Sequence, residues 1–551
     1  MKDSGETIAE LLAGCEKTSP YVVKSETYKE ARSPFFHPSI PVRTNPEKYD
    51  AVGHEIFVVS DLHIAAGKDR AGVYDGTENF FANQAFARFL SYANKNKKTP
   101  NAVLIINGDI FDFIRIRDHP GKQRRVRPTK RMKYLLRLNP LKKQARYSRE
   151  DALPECGNWS TELLKLGIEK TPSELEGSVS KKERKFGLRT DDYKTIYKLM
   201  KIRHGHPAFF DALGVWLEAG NKLLILKGNH DLELYWPNVR NYLRLILAET
   251  IFDQRKATSV EDALRAVVLP RLTFIDDAVV IDDDFYVEHG HRYDKFTMVL
   301  DSPELKKDRS QINLPFGSFF NRYLVNRIEL FYPFIDNVRP SGNVLPMIMR
   351  ENFPLGLKIL FHHVVTLLRV LSKNGRYLWF IFHKVFWFAL VLLLPLGFAL
   401  YFGVIDWKQI FGAGESSGIG KIIAEQVKGI GMMLLSYLLS RAVAWFQLTE
   451  PSSLDQFAKE RFKRTTYKIM TMGHTHNPGA YIFEGGRTFY NTGTWVPVIE
   501  TSTAEVREDR TYTFLHLVRD GDRKLQPVSD GLQRWNDDAE RAEPQVLVRR
   551  K

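Results

Sequence analysis

Lys227-Gly228-Asn229-His230-Asp231 follows the apolar run Leu223-Leu224-Ile225-Leu226. A short aliphatic run closed by a glycine-led polar block predicts a buried strand that ends in a loop. Open α/β sheets carry their ligand chemistry at such strand ends. Alone, Gly-Asn-His-Asp is a weak signal, but four further blocks repeat the arrangement. Asp61-Leu62-His63 follows Ile56-Phe57-Val58-Val59-Ser60, and Gly108-Asp109-Ile110-Phe111-Asp112 follows Val103-Leu104-Ile105-Ile106-Asn107. His289-Gly290 follows Phe285-Tyr286-Val287-Glu288, and Gly473-His474-Thr475-His476 follows Tyr467-Lys468-Ile469-Met470-Thr471-Met472.

The residue types in these blocks suit a pair of divalent cations, which need a bridging carboxylate and further N and O ligands that leave positions open for water and substrate. Asp61 and His63 offer an oxygen and an imidazole from one strand end. Asp109 adds a second carboxylate behind Gly108, and Asn229 adds an amide oxygen without charge. His289, His474 and His476 complete a candidate set of seven metal ligands. A single histidine is more often a core or surface residue than a ligand; five ordered blocks at strand ends exceed coincidence. Mixed N/O sites accept Mn, Fe, Zn or Co according to supply, with Mn²⁺ the expected occupant here.

In order and composition the five blocks resemble the calcineurin-like metallophosphoesterase superfamily, whose signature runs Asp-x-His, Gly-Asp, Gly-Asn-His-Asp/Glu, His, Gly-His-x-His. The resemblance covers about 54–118, 206–294 and 465–518. It implies an α/β (α+β) fold, a β-sandwich flanked by helices, and hydrolysis of a phosphoester or pyrophosphate bond by a metal-activated hydroxide. It implies one metal on Asp61, His63 and His476 and a second on Asn229, His289 and His474, with Asp109 bridging them. It further implies that His230 protonates the leaving oxygen or holds the phosphate, and that Asp112 orients His230. Asp231 is expected to be a structural hydrogen-bonder, His291 and Arg292 are open between phosphate contact and structure, and Asn491-Thr492-Gly493-Thr494-Trp495 reads as a structural turn. Among bacterial members the pattern is similar to the UDP-2,3-diacylglucosamine pyrophosphohydrolases of lipid A synthesis. It departs from them in its length and in carrying His230 where they carry Arg.

The totals agree with an anion-handling protein. The chain has 551 residues with 44% hydrophobic and 26% charged content and a formal net charge of +15, which favours a phosphorylated substrate, nucleic acid or acidic lipid as partner. Two cysteines, Cys15 and Cys156, supply neither a disulfide framework nor a thiolate metal site. Nucleic acid is the less attractive partner, because the basic stretch Arg115–Arg149 has only Tyr134 and Tyr147 as interleaved aromatics. That stretch reads either as a solvated surface or as a rim facing phosphate or lipid head groups. Asp282-Asp283-Asp284 reads as a turn rather than a Ca²⁺ loop.

The expected organisation is an N-terminal arm over 1–50 and a first catalytic part over 51–300 that holds a basic insertion at 115–203. A helical, membrane-associated insertion over 301–464 follows, then a last catalytic part over 465–518 and a polar, disordered tail over 519–551. Val385–Ile405 is twenty-one residues without a charge, long enough to cross a bilayer. Because the ligand blocks on either side must meet, Gly429–Leu448 is the expected return span or half-dipped partner. The basic flanks place the catalytic parts in the cytoplasm, with a lipid-linked or nucleotide-linked substrate as the expected target. Two alternatives stand beside this enzyme: a membrane scaffold that keeps the fold without catalysis, and a membrane-anchored protein phosphatase.

Overall fold

Every residue of the strand Glu55–Val59 is buried, and its side chains alternate between two different cores. Ile56 and Val58 face one cluster, Phe57 and Val59 the other, as the two-residue period of a strand requires. This double burial explains the unbroken apolar runs in the sequence. In the computed structural model the described residues are 7–15, 46–69, 72–123, 146–254, 257–294, 297–299, 302–329, 338–339, 454–500, 510–521, 524–545 and 548–550, with single residues between 348 and 356. The chain divides into two units: Met1–Thr27, Pro38–Arg339 and Ser453–Lys551 form one, Tyr28–His37 and Pro340–Ser452 the other.

The larger unit is a mixed α/β structure with two seven-stranded sheets. The first runs in the order Arg541–Pro544, Leu525–Asn536, Thr513–Arg519, Glu55–Val59, Ala102–Asn107, Lys222–Leu226 and Leu272–Ile275. The second runs Glu47–Tyr49, Ala278–Ile281, Phe285–Glu288, Ile469–Met472, Thr488–Asn491, Gly479–Ile482 and Val548–Arg550. Ile56, Val103, Ile105, Leu224 and Leu226 of the first sheet share a core with Val279, Ile281, Phe285, Val287 and Ile469 of the second, so the sheets pack face to face. The outer face of the first sheet, through Phe57, Leu104 and Ile225, packs on the helices Asn83–Asn96, Pro207–Glu218 and Pro237–Asp253. The outer face of the second, through Tyr286, Met470 and Phe489, packs on the helix Asp455–Arg464. Pro207 and Pro237 each open their helix at the first turn, where a missing N–H is harmless.

Strand direction positions the functional loops. Glu55–Val59, Ala102–Asn107, Lys222–Leu226 and Leu272–Ile275 are parallel neighbours in the first sheet. Phe285–Glu288, Ile469–Met472 and Thr488–Asn491 are parallel neighbours in the second. Within each sheet, then, all the ligand-bearing loops leave from one edge.

Two expectations change. The expected polar tail forms the strands Leu525–Asn536, Arg541–Pro544 and Val548–Arg550. Sparse apolar residues hold it in place: Leu525, Leu532 and Trp535 are buried, with the Trp535 ring against Phe89 and Tyr92. The N-terminal arm contributes Glu47–Tyr49 as a parallel edge strand beside Ala278–Ile281. Val260–Ala263 is α-helical, and Leu264–Val268 continues it as a π turn. The Asp282–Asp284 turn joins Ala278–Ile281 to Phe285–Glu288, with Lys48 on Asp283, Arg519 on Asp282 and Lys468 near Asp284. Most of Arg115–Arg149 and all of Val385–Leu448 lie outside the described residues. Among the described residues no helix is long and apolar enough to cross a membrane.

Trp535→Ala is expected to lower unfolding stability by about 3–5 kcal/mol. A fall in the urea midpoint checks this; an unchanged midpoint would mean that the tail strands are dispensable.

Candidate metal centre

Four of the five loops bring their polar groups into two adjoining clusters, and the fifth, which carries Asn229 and His230, abuts them. Asp61, His63 and His476 each offer a ligand atom within 4.8 Å of the others, and so do Asp109, His289 and His474. His63 Nε2 lies 2.9 Å from His476 Nε2, which is 3.3 Å from Asp61 Oδ1. In the second cluster His289 Nε2 lies 3.1 Å from Asp109 Oδ2. Asp109 also reaches the first cluster, with its Oδ2 3.7 Å from His63 Nε2. Asn229 belongs to the loop whose Gly228 and His230 both abut Asp109: the His230 amide donates to Asp109 Oδ1 at 2.8 Å.

The backbone is bent to achieve this. Asp61, His63, Asp109, His474 and His476 all have left-handed backbone, with φ between 50° and 66°. Asp and His tolerate that region better than most residues, yet each such position still stores strain on the order of 1–3 kcal/mol. Five of the seven candidate ligands carry it, a concentration typical of functional sites. Glycine is required where the loops crowd together. A Cβ on Gly228 would fall 2.1 Å from Asp109 Oδ1, and one on Gly108 would fall 2.3 Å from the His289 ring.

Neighbouring groups fix the ligands. His289 Nδ1 lies 2.8 Å from the Asn107 carbonyl, so it donates there and turns Nε2 toward Asp109. Metal-ligating imidazoles are commonly oriented in this way. The His474 amide donates to Asp61 Oδ2 at 3.0 Å, and Thr297 Oγ1 and Asp294 Oδ2 stand 3.3 and 3.5 Å from His474 Nε2. The Asn491–Trp495 turn is structural: Thr494 Oγ1 and the Trp495 amide both donate to the Asp61 carbonyl, and Asn491 Nδ2 donates to Gly473 O and Thr475 Oγ1. Asp231 ties two loops, accepting from the Gly228 amide at 2.6 Å and the Ile110 amide at 2.8 Å. Arg292 pairs with Asp277, and His291 is buried.

His230 and Asp112 adjoin the clusters. His230 Nδ1 is 2.8 Å from Asp112 Oδ2, and Asp112 also lies 3.6 Å from His63 Nδ1. Sequence reasoning gave no role to Arg115, whose Nε donates to Asp112 Oδ2 at 2.8 Å. Its position three residues after Asp112, within a run of apolar and basic residues, carried no mark. Asn107, Asp294 and Thr297 were missed for the same reason.

The electrostatics follow from burying these groups together. Burial would raise the Asp61 carboxyl, but the His289 charge and hydrogen bonds from His476 and His63 outweigh it and hold it well below the usual range. Asp112 is depressed likewise, burial being overcome by His230, His63 and Arg115. Burial would lower His63, but Asp112, Asp61 and Asp109 push it up to about 10. His289, opposed by burial and favoured by Asp109 and Asp61, rises to about 9. Asp231 is pushed up to about 7, first by burial and then by the Asp109 charge.

The donor set fits divalent cations. Bonds of about 2.0–2.2 Å place ligand atoms roughly 3–4 Å apart, the spacing found within the clusters. The amide oxygen of Asn229 is buried without a hydrogen-bond partner, which suits a metal-ligating atom. No family model matches the chain, and no curated protein or solved structure matches it either.

Without metal, stability from the raised imidazoles is complete below the ordinary histidine range. It is lost as pH climbs from about 6.5 through about 9 for His289 and about 10 for His63. Asp231, raised to about 7, weakens the fold in the same direction from lower pH. The depressed Asp61 and Asp112 act oppositely, and their contribution disappears only on acidification below about 4. Thermal melts of chelator-treated protein are therefore expected to fall steadily from pH 6 to 10; a flat profile would contradict the buried-charge arrangement.

Proposed function

We propose that the chain is a dinuclear-metal phosphoesterase with the calcineurin-like sandwich architecture, hydrolysing a phosphoester or pyrophosphate bond. The observation that carries this is the meeting of four separated blocks in two ligand clusters, with the fifth block's His230 paired to Asp112 beside them. Asp61, His63 and His476 would hold one cation, Asn229, His289 and His474 the other, with Asp109 shared. When bound, such cations supply Lewis acidity to the phosphoryl group and a nucleophile from water at neutral pH.

The chain's own residues do the rest. Asp112 accepts from His230 Nδ1 and so fixes the ring with Nε2 as its remaining polar atom. Burial disfavours the His230 cation, but the charges of Asp112 and Asp109 outweigh it and raise the imidazole above its ordinary value. A ring that keeps its proton near neutrality can hold a phosphoryl oxygen or protonate the leaving oxygen. The net charge of +15 favours an anionic substrate. The charge-free run Val385–Ile405 supports action at a membrane surface on a lipid-linked or nucleotide-linked phosphate.

His230→Ala is expected to lose about 10²–10⁴-fold in turnover of bis(p-nitrophenyl) phosphate while elemental analysis still finds two metals per chain. Wild type without metal would overturn the reading and leave a scaffold. Separately, deletion of Leu355–Leu448 is expected to move the protein from membrane to soluble fraction; retention would place the anchor elsewhere.

A further inference from the structure

Asp112, which fixes His230, is itself fixed from its other side. Arg115 donates to it from Nε at 2.8 Å and from the backbone amide at 3.2 Å. The far end of the same guanidinium reaches Glu329, whose Oε2 lies 2.5 Å from Arg115 Nη1. All three side chains are buried: Glu329 and Asp112 expose 0% of their surface and Arg115 2%. In the amide orientation that satisfies its neighbours, Asn79 also accepts from Arg115 Nη1 at 2.8 Å and Nη2 at 3.1 Å. Thr77 Oγ1 donates to the Arg115 carbonyl at 2.9 Å, so the arginine is held from side chain and backbone alike.

Glu329 comes from a distant part of the chain, 214 residues after Arg115. It ends the short helix Asn326–Glu329, whose Asn326 Nδ2 donates to the Ile114 carbonyl at 2.9 Å. Upstream, Arg322 Nη2 donates to the Leu188 carbonyl at 2.9 Å. Ile312 and Leu314 join Ile114 and Leu232 in a small apolar cluster next to the His230 loop. The segment is therefore docked on both loops that present the His230–Asp112 pair.

We propose that Glu329 is a positioning residue for His230, acting through Arg115 and Asp112. The four groups form a row of alternating charge, buried as far as Asp112 and part-buried at His230. A carboxylate shared by two cationic neighbours is placed by the balance between them, and a guanidinium fork is directional. With Glu329 present, Arg115 is drawn from both ends, and its Nε shares Asp112 Oδ2 with His230 Nδ1, each at 2.8 Å. Without the Glu329 charge, the guanidinium shifts toward Asp112 and takes a larger share of the oxygen that holds His230. The effect falls on a ring needed in the transition state, so it should appear in kcat rather than KM.

The kinetic arm rests on the phosphoesterase reading; a second arm does not. Full-length wild type, Glu329→Gln, His230→Ala and the double variant are compared on bis(p-nitrophenyl) phosphate with Mn²⁺. Glu329→Gln is expected to lower kcat about tenfold with KM within about twofold, and to have no further effect in the His230→Ala background. Equal losses in both backgrounds would overturn the proposal, because a merely structural role does not depend on His230. In the second arm, carbethoxylation of His230 in metal-depleted full-length protein is followed by peptide mass spectrometry. Glu329→Gln is expected to speed it severalfold by releasing the ring from Asp112, and an unchanged rate would overturn the proposal even if the wild type hydrolyses nothing. Should Glu329→Gln not fold, Arg115→Lys, which keeps the charge but not the fork, reads the same two quantities.

Discussion

A carboxylate cannot stay ionised inside a protein unless cations surround it. Asp61, Asp109 and Asp112 are all buried, and within a few ångströms of them stand the imidazoles of His63, His230, His289 and His476. This mutual neutralisation is the constraint that the rest of the larger unit obeys. It requires loops from two sheets to meet at one edge, and parallel strands direct them there. It requires the candidate ligand residues to turn back within two to four positions of the strand end, and left-handed backbone provides the turn. It requires chains to pass within contact of ligand side chains, and Gly228 and Gly108 leave the room. The strain stored at the loops is offset by the apolar cores behind them, where nearly every strand residue is buried on one face or the other.

Much of this was legible in the sequence because the chemistry sits next to strong local signals. Each ligand block follows a short, mostly apolar run that forms the strand read from it, and strand ends are where parallel sheets gather ligands. What stayed hidden depends on pairing between distant segments. Leu525–Asn536 contains Gln526, Ser529, Gln533 and Arg534 among its few apolar residues, and its pairing with Thr513–Arg519 shifts register between Leu515 and Leu517. No regular alternation survives such a shift. Arg115, in turn, looked like one basic residue among many; only the fold brings Glu329 against it.

The two kinds of insertion also differ in what they do for the site. Residues after 146 fold into the helices Arg149–Leu164 and Asp192–Gly205, whose buried Trp159, Tyr197 and Ile202 extend the core behind the first sheet. The stretch 297–329 instead lies along the loops themselves, touching His474 through Thr297 and Asp112 through Arg115 and Glu329. One reinforces the scaffold; the other reaches the clustered histidines and acids.

Strand order has a consequence for synthesis. Glu55–Val59 takes its outer neighbour from Thr513–Arg519, and the two final imidazoles arrive only at 474 and 476. While the ribosome is still translating the hundreds of residues between, the nascent chain carries an open sheet edge and three acids that lack part of their counter-charge. An exposed edge invites intermolecular pairing. Holding that half-built sheet apart from other chains until the closing strand emerges is therefore a demand this topology places on the cell's chaperones, one that a protein with its ligands in the first half of the chain would escape.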